Sequence, residues 1–301
     1  MGGTRFIGKS LIKKLLEQNH QITVFTRGQN PVPKGVLHLK GDRKSKQSLD
    51  QLTGKKYEVI IDSSGRELDD TRNVISITGK PSHRFIYISS AGVYENNGIF
   101  PLNEKSPIDL KSRHIGKAHT ENWLKEEKIP FTSFRPTYIY GPGNYNPIES
   151  WFFDRIINSK IIPMPSEGKT ITQLGHVSDL TDAMVISLNK DIAINKIYNC
   201  SGSSGITLES LIYLCAKVCK KDMSQVNIRS FNPMELDPKS RKIFPVRLSH
   251  FLTNTNLIEK ELDWKPKFNL LEGLNDSYIN DYCLRKNYKP NFPEESMKIF
   301  A

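Results

Sequence analysis

The chain has 301 residues, 37% of them hydrophobic, and four cysteines. That length buries a large core as one domain or two adjoining ones, while so few cysteines exclude a disulfide framework and read as a reducing compartment. No stretch approaches the roughly 20 apolar residues that a membrane-spanning helix requires. The formal net charge of +11 favours polyanionic partners, RNA first among them. Its lysines are scattered, however, and the chain carries no arginine-rich tract or aromatic RNA-binding signature.

Gly2-Gly3-Thr4-Arg5-Phe6-Ile7-Gly8 opens the chain and leads into a helical face of Ile7, Leu11, Ile12, Leu15 and Leu16. A glycine turn at a helix start offers a phosphate the backbone N–H groups and the positive end of the helix dipole. The glycines permit the tight turn and the close approach of a pyrophosphate. The usual spacing is G-x-x-G-x-x-G, and Arg5 stands at the middle glycine, where it either crowds the pyrophosphate or adds a cation beside it. A dinucleotide turn normally follows a first strand, whereas only Met1 precedes this one. The expectation is that the first strand is missing from the chain as written and that the protein begins a few residues earlier. Nothing here reads as a signal peptide.

Strands are expected over 22–25, 36–39 and 59–61. A helix over 69–77 then precedes a strand over 85–88, and a helix over 116–125 precedes a strand over 131–134. This alternation predicts a doubly wound parallel α/β sheet. After Gly141-Pro142-Gly143 the pattern loosens into helices over 150–158, 176–188 and 208–219 between Pro- and Lys-rich loops. A dinucleotide-binding domain over 1–143 is therefore expected, with 144–301 forming mainly a smaller C-terminal α/β lobe and segments around 176–200 returning to the first sheet. Cys215 and Cys219 have a spacing that could seat two metal ligands but read better as one packed helix face.

A dinucleotide site that prefers NAD ends its second strand in an acid for the ribose hydroxyls. Here the residues are Thr26-Arg27, so with Arg5 nearby NADP outranks NAD. Asp42, after the third strand, is placed to meet the adenine.

Four motifs in order, Ser89-Ser90-Ala91-Gly92-Val93-Tyr94, Arg135-Pro136-Thr137-Tyr138-Ile139-Tyr140-Gly141-Pro142, His176-Val177-Ser178-Asp179-Leu180 and Leu262-Asp263-Trp264-Lys265-Pro266, resemble the signatures of extended short-chain dehydrogenases, the sugar-nucleotide epimerase and dehydratase superfamily. The resemblance implies a Rossmann fold and a cofactor pocket built from residues 2–8, Arg27, Asp42, Lys117 and Pro136. It also implies a Ser, a Tyr and a Lys that carry the chemistry. The phenol exchanges a proton with the substrate during hydride transfer, the serine orients the substrate, and the lysine also holds the nicotinamide ribose. Ser90 takes the serine position, four before Tyr94, and Lys117 the lysine position, four before Glu121. The tyrosine belongs four before Lys117, and that residue is Arg113. Arginine stays protonated near neutral pH and cannot be a general acid or base there. His114 can titrate, but one residue along a helix turns it about 100° away. Tyr94 and Tyr138 are other phenols, without motif support.

Ser112-Arg113-His114-Ile115-Gly116-Lys117 joins Leu39-Lys40-Gly41-Asp42-Arg43, Tyr145-Asn146-Pro147, Trp151-Phe152-Phe153, Gln173-Leu174-Gly175-His176-Val177 and the glycine turn in a narrower resemblance, to the chloroplast stem-loop binding proteins and their cyanobacterial relatives. Both arginine exchanges belong to that family's pattern. The resemblance implies binding of structured RNA, metal-aided endoribonuclease activity, a role in RNA or ribosome metabolism, and residence in plastid stroma or cyanobacterial cytoplasm, as a homo-oligomer or within a ribonucleoprotein. Arg113, His114 and Lys117 are then expected at the pocket mouth, with Lys111, Arg43 and Arg66 extending a phosphate-tracking rim. His114 is the candidate acid or base for cleavage, and Asp62 and Asp109 are candidate Mg²⁺ partners. The competing reading is an NADP-dependent sugar-nucleotide epimerase, dehydratase or reductase with a relocated acid.

Overall fold

A computed structural model describes residues 1–146, 148–237, 241 and 244–292; Pro147 of the Tyr145-Asn146-Pro147 motif lies outside them. In chain order the elements begin with α1 (Phe6–Glu17), β1 (Ile22–Thr26), β2 (Val36–Lys40), α2 (Lys46–Leu49), β3 (Val59–Asp62), α3 (Leu68–Thr78), β4 (Arg84–Ile88), α4 (Ile115–Glu126) and β5 (Phe131–Pro136). There follow β6 (Tyr138–Tyr140), α5 (Glu149–Ile157), β7 (Ile162–Pro165), β8 (Ile171–Thr172), β9 (Leu174–His176), α6 (Val177–Leu188) and β10 (Lys196–Cys200). The last are β11 (Ile206–Thr207), α7 (Leu208–Val218), β12 (Ile228–Phe231), α8 (Asn256–Leu262) and α9 (Leu270–Asn280).

The chain divides into two compact units. The first holds Met1–Thr137, Val177–Ser201 and Thr253–Lys265; the second holds Tyr138–His176, Gly202–Leu252 and Pro266–Ala301. The division falls at Thr137 rather than after Gly143, and a further segment returns to the first unit, where Trp264 Nε1 donates to Asp179 O at 3.1 Å.

In the first unit every ladder is parallel, with β3, β4, β5 and β10 in the order β10-β5-β4-β3 and β1 paired with β2. The β4 sequence RFIYI and the β5 sequence FTSFRP are buried at every position, as befits parallel strands covered on both faces. Ile60, Ile75, Phe85, Tyr87, Leu124 and Phe131 form one core cluster. No strand stands between β1 and β3 among the described residues, which is where a doubly wound sheet carries its first strand. The Met1 ammonium donates to Ile61 O at 2.7 Å and Ser63 N donates to Met1 O at 3.2 Å, so Met1 alone extends the β3 ladder.

The second unit packs Trp151, Phe152 and Phe153 of α5 against Ile162, Leu211 and Leu274. Cys215 and Cys219 lie on the packed face of α7 in the same cluster, and burial pushes the Cys215 thiol well above its usual value and the Cys219 thiol up to about 12. Glu149, at the start of α5, is buried and accepts Gly141 N at 3.1 Å and Asn144 Nδ2 at 2.9 Å.

Burial raises the Glu149 carboxyl to about 7. An unfolded glutamate ionises near 4.3, so stability is full below about that pH and is lost as pH rises through 7, by about 3 kcal/mol. Urea midpoints of the parent are expected to fall from about pH 5 to about pH 8 more than those of Glu149→Gln; equal pH dependence in the two proteins would count against this carboxyl.

Candidate functional site

The glycine turn is built for close backbone approach. Gly2 and Gly3 have φ of +83° and +114°, a region that side-chain-bearing residues rarely adopt. A Cβ on Gly8 would stand 2.3 Å from Gly3 Cα, so the first turn of α1 rests directly on the loop before it. Thr4 is buried, Ile7 is half-buried, and Phe6 is buried with φ of +33°. Arg5 is exposed at the α1 N-cap, no side chain caps that helix end, and its first turn has no acid.

Beside the turn, β1 ends in Thr26, whose Oγ1 lies 2.8 Å from His38 Nε2. Arg27 follows, exposed. Lys40 lies against Gly28, its Cδ 3.0 Å from where a Cβ would stand. The β1 end thus presents cations and no carboxylate. Asp42 Oδ1 accepts Lys44 N at 2.9 Å, which fixes the turn after β2.

Two expected residues have other duties. Arg43 was expected on the phosphate-tracking rim, but its guanidinium is turned inward and grips Asp62 through Nη1–Oδ2 at 2.9 Å and Nη2–Oδ1 at 2.8 Å. Asp62 was expected as a Mg²⁺ partner. It is fully buried and also accepts Ser64 N, Gly65 N and Thr71 Oγ1. Although burial opposes ionisation, Arg43 and these donors hold its carboxyl down at about 2. A carboxylate with its oxygens so engaged does not fit a metal ligand. Asp109 Oδ1 accepts Lys111 N at 2.8 Å as a local turn cap, and among the described residues no cluster of three His, Cys, Asp or Glu could hold a metal.

The triad positions are close in sequence and unequal in fate. Ser90 caps the turn after β4, its Oγ accepting Gly92 N at 3.0 Å. Lys117 was expected at the pocket mouth, but its ammonium points inward, donating to Gly65 O at 2.9 Å and Ile88 O at 2.6 Å above the Tyr87 ring. Burial lowers Lys117 to about 8, partly offset by Asp62 and Glu121. The turn it clasps is pressed onto α4, since a Cβ on Gly116 would stand 2.6 Å from Arg66 O.

Arg113 and His114 do not diverge as helical neighbours would. α4 begins only at Ile115, with His114 as its N-cap at φ −106° and ψ 7°. Arg113 Nε therefore reaches His114 Nε2 at 3.1 Å, as donor to an unprotonated ring nitrogen. Arg113, Lys111 and Arg66 are exposed. Both spare phenols are engaged by other partners. Tyr94 is buried with its hydroxyl on Asn199 Oδ1 at 2.8 Å, and burial pushes it up to about 12. The Tyr138 hydroxyl accepts Arg247 N at 2.7 Å in the second unit.

Sequence reasoning passed over the charge pair beneath the site. Arg135 Nη2 meets Glu121 Oε2 at 2.5 Å, with side-chain exposures of 5% and 1%, and Ser133 Oγ also donates to Glu121. The signal was present: an arginine in a strand otherwise buried on both faces must have a partner. Pro136, expected in the cofactor pocket, is buried at the end of the same strand.

Residues 1–201 match the family model described as the NAD dependent epimerase/dehydratase family. The chain belongs to that family. It is 41% identical over 298 residues to the chloroplast stem-loop binding protein of 41 kDa b of Arabidopsis thaliana, covering 94% of this chain and 78% of that one. It is 23% identical over 314 residues to the UDP-glucose 4-epimerase of Vibrio cholerae, covering 90% and 91%. Among solved structures, the UDP-glucose 4-epimerase of Thermotoga maritima with UDP-glucose has the same fold at a TM-score of 0.75 and 18% identity, covering 92% of this chain and 95% of that one. The Thermus thermophilus UDP-glucose 4-epimerase complex with NAD gives 0.73 and 17%, covering 92% and 96%.

Measured against the family's cofactor chemistry, the residues divide in two. The positive-φ glycines, the close Gly3–Gly8 packing and the uncapped α1 end fit a pyrophosphate. At the other end, Arg113 stands where the resemblance expects the proton donor, and the Lys117 ammonium is engaged by the Gly65 and Ile88 carbonyls.

Proposed function

We propose that this member of the epimerase/dehydratase family binds structured RNA and has lost the family's hydride chemistry. The observation that carries the reading is Arg113. It stands at the proton-donor position, exposed and bonded to His114, in a chain 41% identical to a stem-loop binding protein. The net charge of +11 supports a polyanionic partner. Arg113, Lys111 and Arg66 supply exposed cations at the ends of the strands, and phosphate contacts of this kind dominate nucleic-acid affinity.

Binding without efficient cleavage fits these groups best. His114 Nε2 is engaged by Arg113, and Asp62 has no oxygen left for Mg²⁺. In this reading the dinucleotide pocket is a vestigial or regulatory feature, and with Arg5 and Arg27 in place of an acid it favours NADP over NAD. The setting is a plastid stroma or a cyanobacterial cytoplasm.

Equilibrium binding of a labelled stem-loop RNA across a KCl series tests the proposal. The expected slope of log K against log salt is about −3 or steeper, and Arg113→Ala with Lys111→Ala makes it shallower by about two. No binding at low salt, or a flat slope, would overturn it.

A further inference from the structure

Asn97-Gly98 is the single Asn-Gly pair in the 301 residues, and it stands in an exposed loop of the first unit. The loop leaves the Ser89–Tyr94 motif and returns at the Tyr94–Ile108 bridge, where Glu95 N donates to Pro107 O and Asp109 N to Val93 O, each at 2.9 Å. Asn97 Oδ1 accepts Ile99 N at 3.1 Å, an Asx turn that folds the side-chain amide back over its own backbone. The ring so closed contains both Asn97 Cγ and the Gly98 peptide nitrogen. Gly98 has φ of +81°, where a residue with a side chain is strained. A Cβ built there would meet nothing within 4 Å, so neither a side chain nor a packed neighbour crowds the turn.

These features set up one reaction. Hydroxide removes the Gly98 amide proton, and the nitrogen attacks Asn97 Cγ. The side-chain nitrogen leaves as ammonia, and a five-membered succinimide closes on the backbone. Water then breaks either the new bond to Cγ, which gives aspartate, or the original main-chain bond, which gives isoaspartate. The balance is one water in and one ammonia out, with a carboxylate in place of a neutral amide. Negative charge develops on Oδ1 during the attack, and the Ile99 N–H already donates to that atom, as a preorganised donor does in an oxyanion hole. Asn158-Ser159 shows the inert arrangement: Asn158 Nδ2 donates to Asp154 O at 2.7 Å at the end of α5, and Ser159 puts a Cβ beside the attacking nitrogen.

We infer that Asn97 is a self-modifying residue, converted to aspartate and isoaspartate on the folded protein. The change lowers the formal net charge of +11 by one. In its isoaspartate form it also adds a main-chain carbon to the loop that runs on into Lys111 and Arg113. This inference does not rest on the RNA-binding reading.

The test incubates the purified protein at about pH 6 and about pH 9, since removal of the amide proton is the pH-dependent step. The protein is then digested in acid, and its peptides are separated and weighed. Peptides carrying Asn97 are expected to gain the mass of an amide-to-acid exchange and to split into two chromatographic forms, faster at the higher pH. Those carrying Asn158 stay intact. Asn97→Gln loses the conversion, because its longer side chain must close a six-membered ring. Ile99→Pro, which removes the N–H on Oδ1, converts severalfold more slowly. Asn97 peptides that stay intact at the higher pH, or that convert no faster there, would overturn the modification. Conversion of Ile99→Pro at the parent's rate would overturn the role given to the turn.

Discussion

Glu121→Ala is expected to destabilise the protein by about 3–5 kcal/mol, the cost of leaving a buried charge without its partner. The Arg135 side chain is 5% exposed, its guanidinium donates three hydrogen bonds to the Glu121 carboxylate, and it faces the Tyr94 ring at 4.9 Å. Glu121 holds it strongly in the charged form, against the pull of burial. Removing the carboxylate leaves a cation that neither loses its proton nor reaches water. The Ser133 hydroxyl loses its acceptor in the same step. The double variant Glu121→Leu/Arg135→Leu removes both charges and is expected to lose much less. Urea denaturation of the three proteins decides the matter: a double variant as unstable as Glu121→Ala would mean that packing, not the unpaired charge, sets the cost.

Gly8→Ala is the second large effect, and two opposing terms fix its sign. Alanine is preferred over glycine inside a helix by about 1 kcal/mol. Against that, the new Cβ would lie 2.3 Å from Gly3 Cα and 2.7 Å from Gly3 N and C. Those are backbone atoms and cannot swing aside as a side-chain tip can. Overpacking of this kind costs about 3 kcal/mol, so the net loss is about 2 kcal/mol, read as a lower denaturation midpoint. A midpoint equal to or above the parent's would show that α1 does not rest on the glycine turn as described.

The alternation of strands and helices was legible because parallel strands buried on both faces are continuous apolar runs and their helices keep a 3.6-residue period. The strands over 85–88 and 131–134 and the helices over 69–77 and 116–125 therefore lie within the observed β4, β5, α3 and α4. The small pieces were not legible. α2 has four residues, and β8 and β11 two each, too few to show any period. The return of Thr253–Lys265 to the first unit depends on distant packing around Trp264 that no local pattern carries.

In the candidate site, residue positions could be read from spacing, but side-chain directions could not. Lys117 was expected at the pocket mouth and Arg43 on the rim, yet each finds acceptors inward: two carbonyls for one, Asp62 for the other. His114 was placed about 100° from Arg113 as if both lay in one helix, but α4 begins only at Ile115 and His114 is its non-helical N-cap. That backbone brings the two side chains together.

The proposed loss of hydride chemistry is tested most directly by incubating the purified protein with UDP-glucose and either NAD⁺ or NADP⁺ and following the C4-epimerised sugar by chromatography. With Arg113 bonded to His114 at the proton-donor position and Tyr94 buried with a raised phenol, no epimer above the enzyme-free background is expected with either cofactor. Steady formation of the epimer by the parent protein would contradict this and restore the chain to the family's ordinary catalysts.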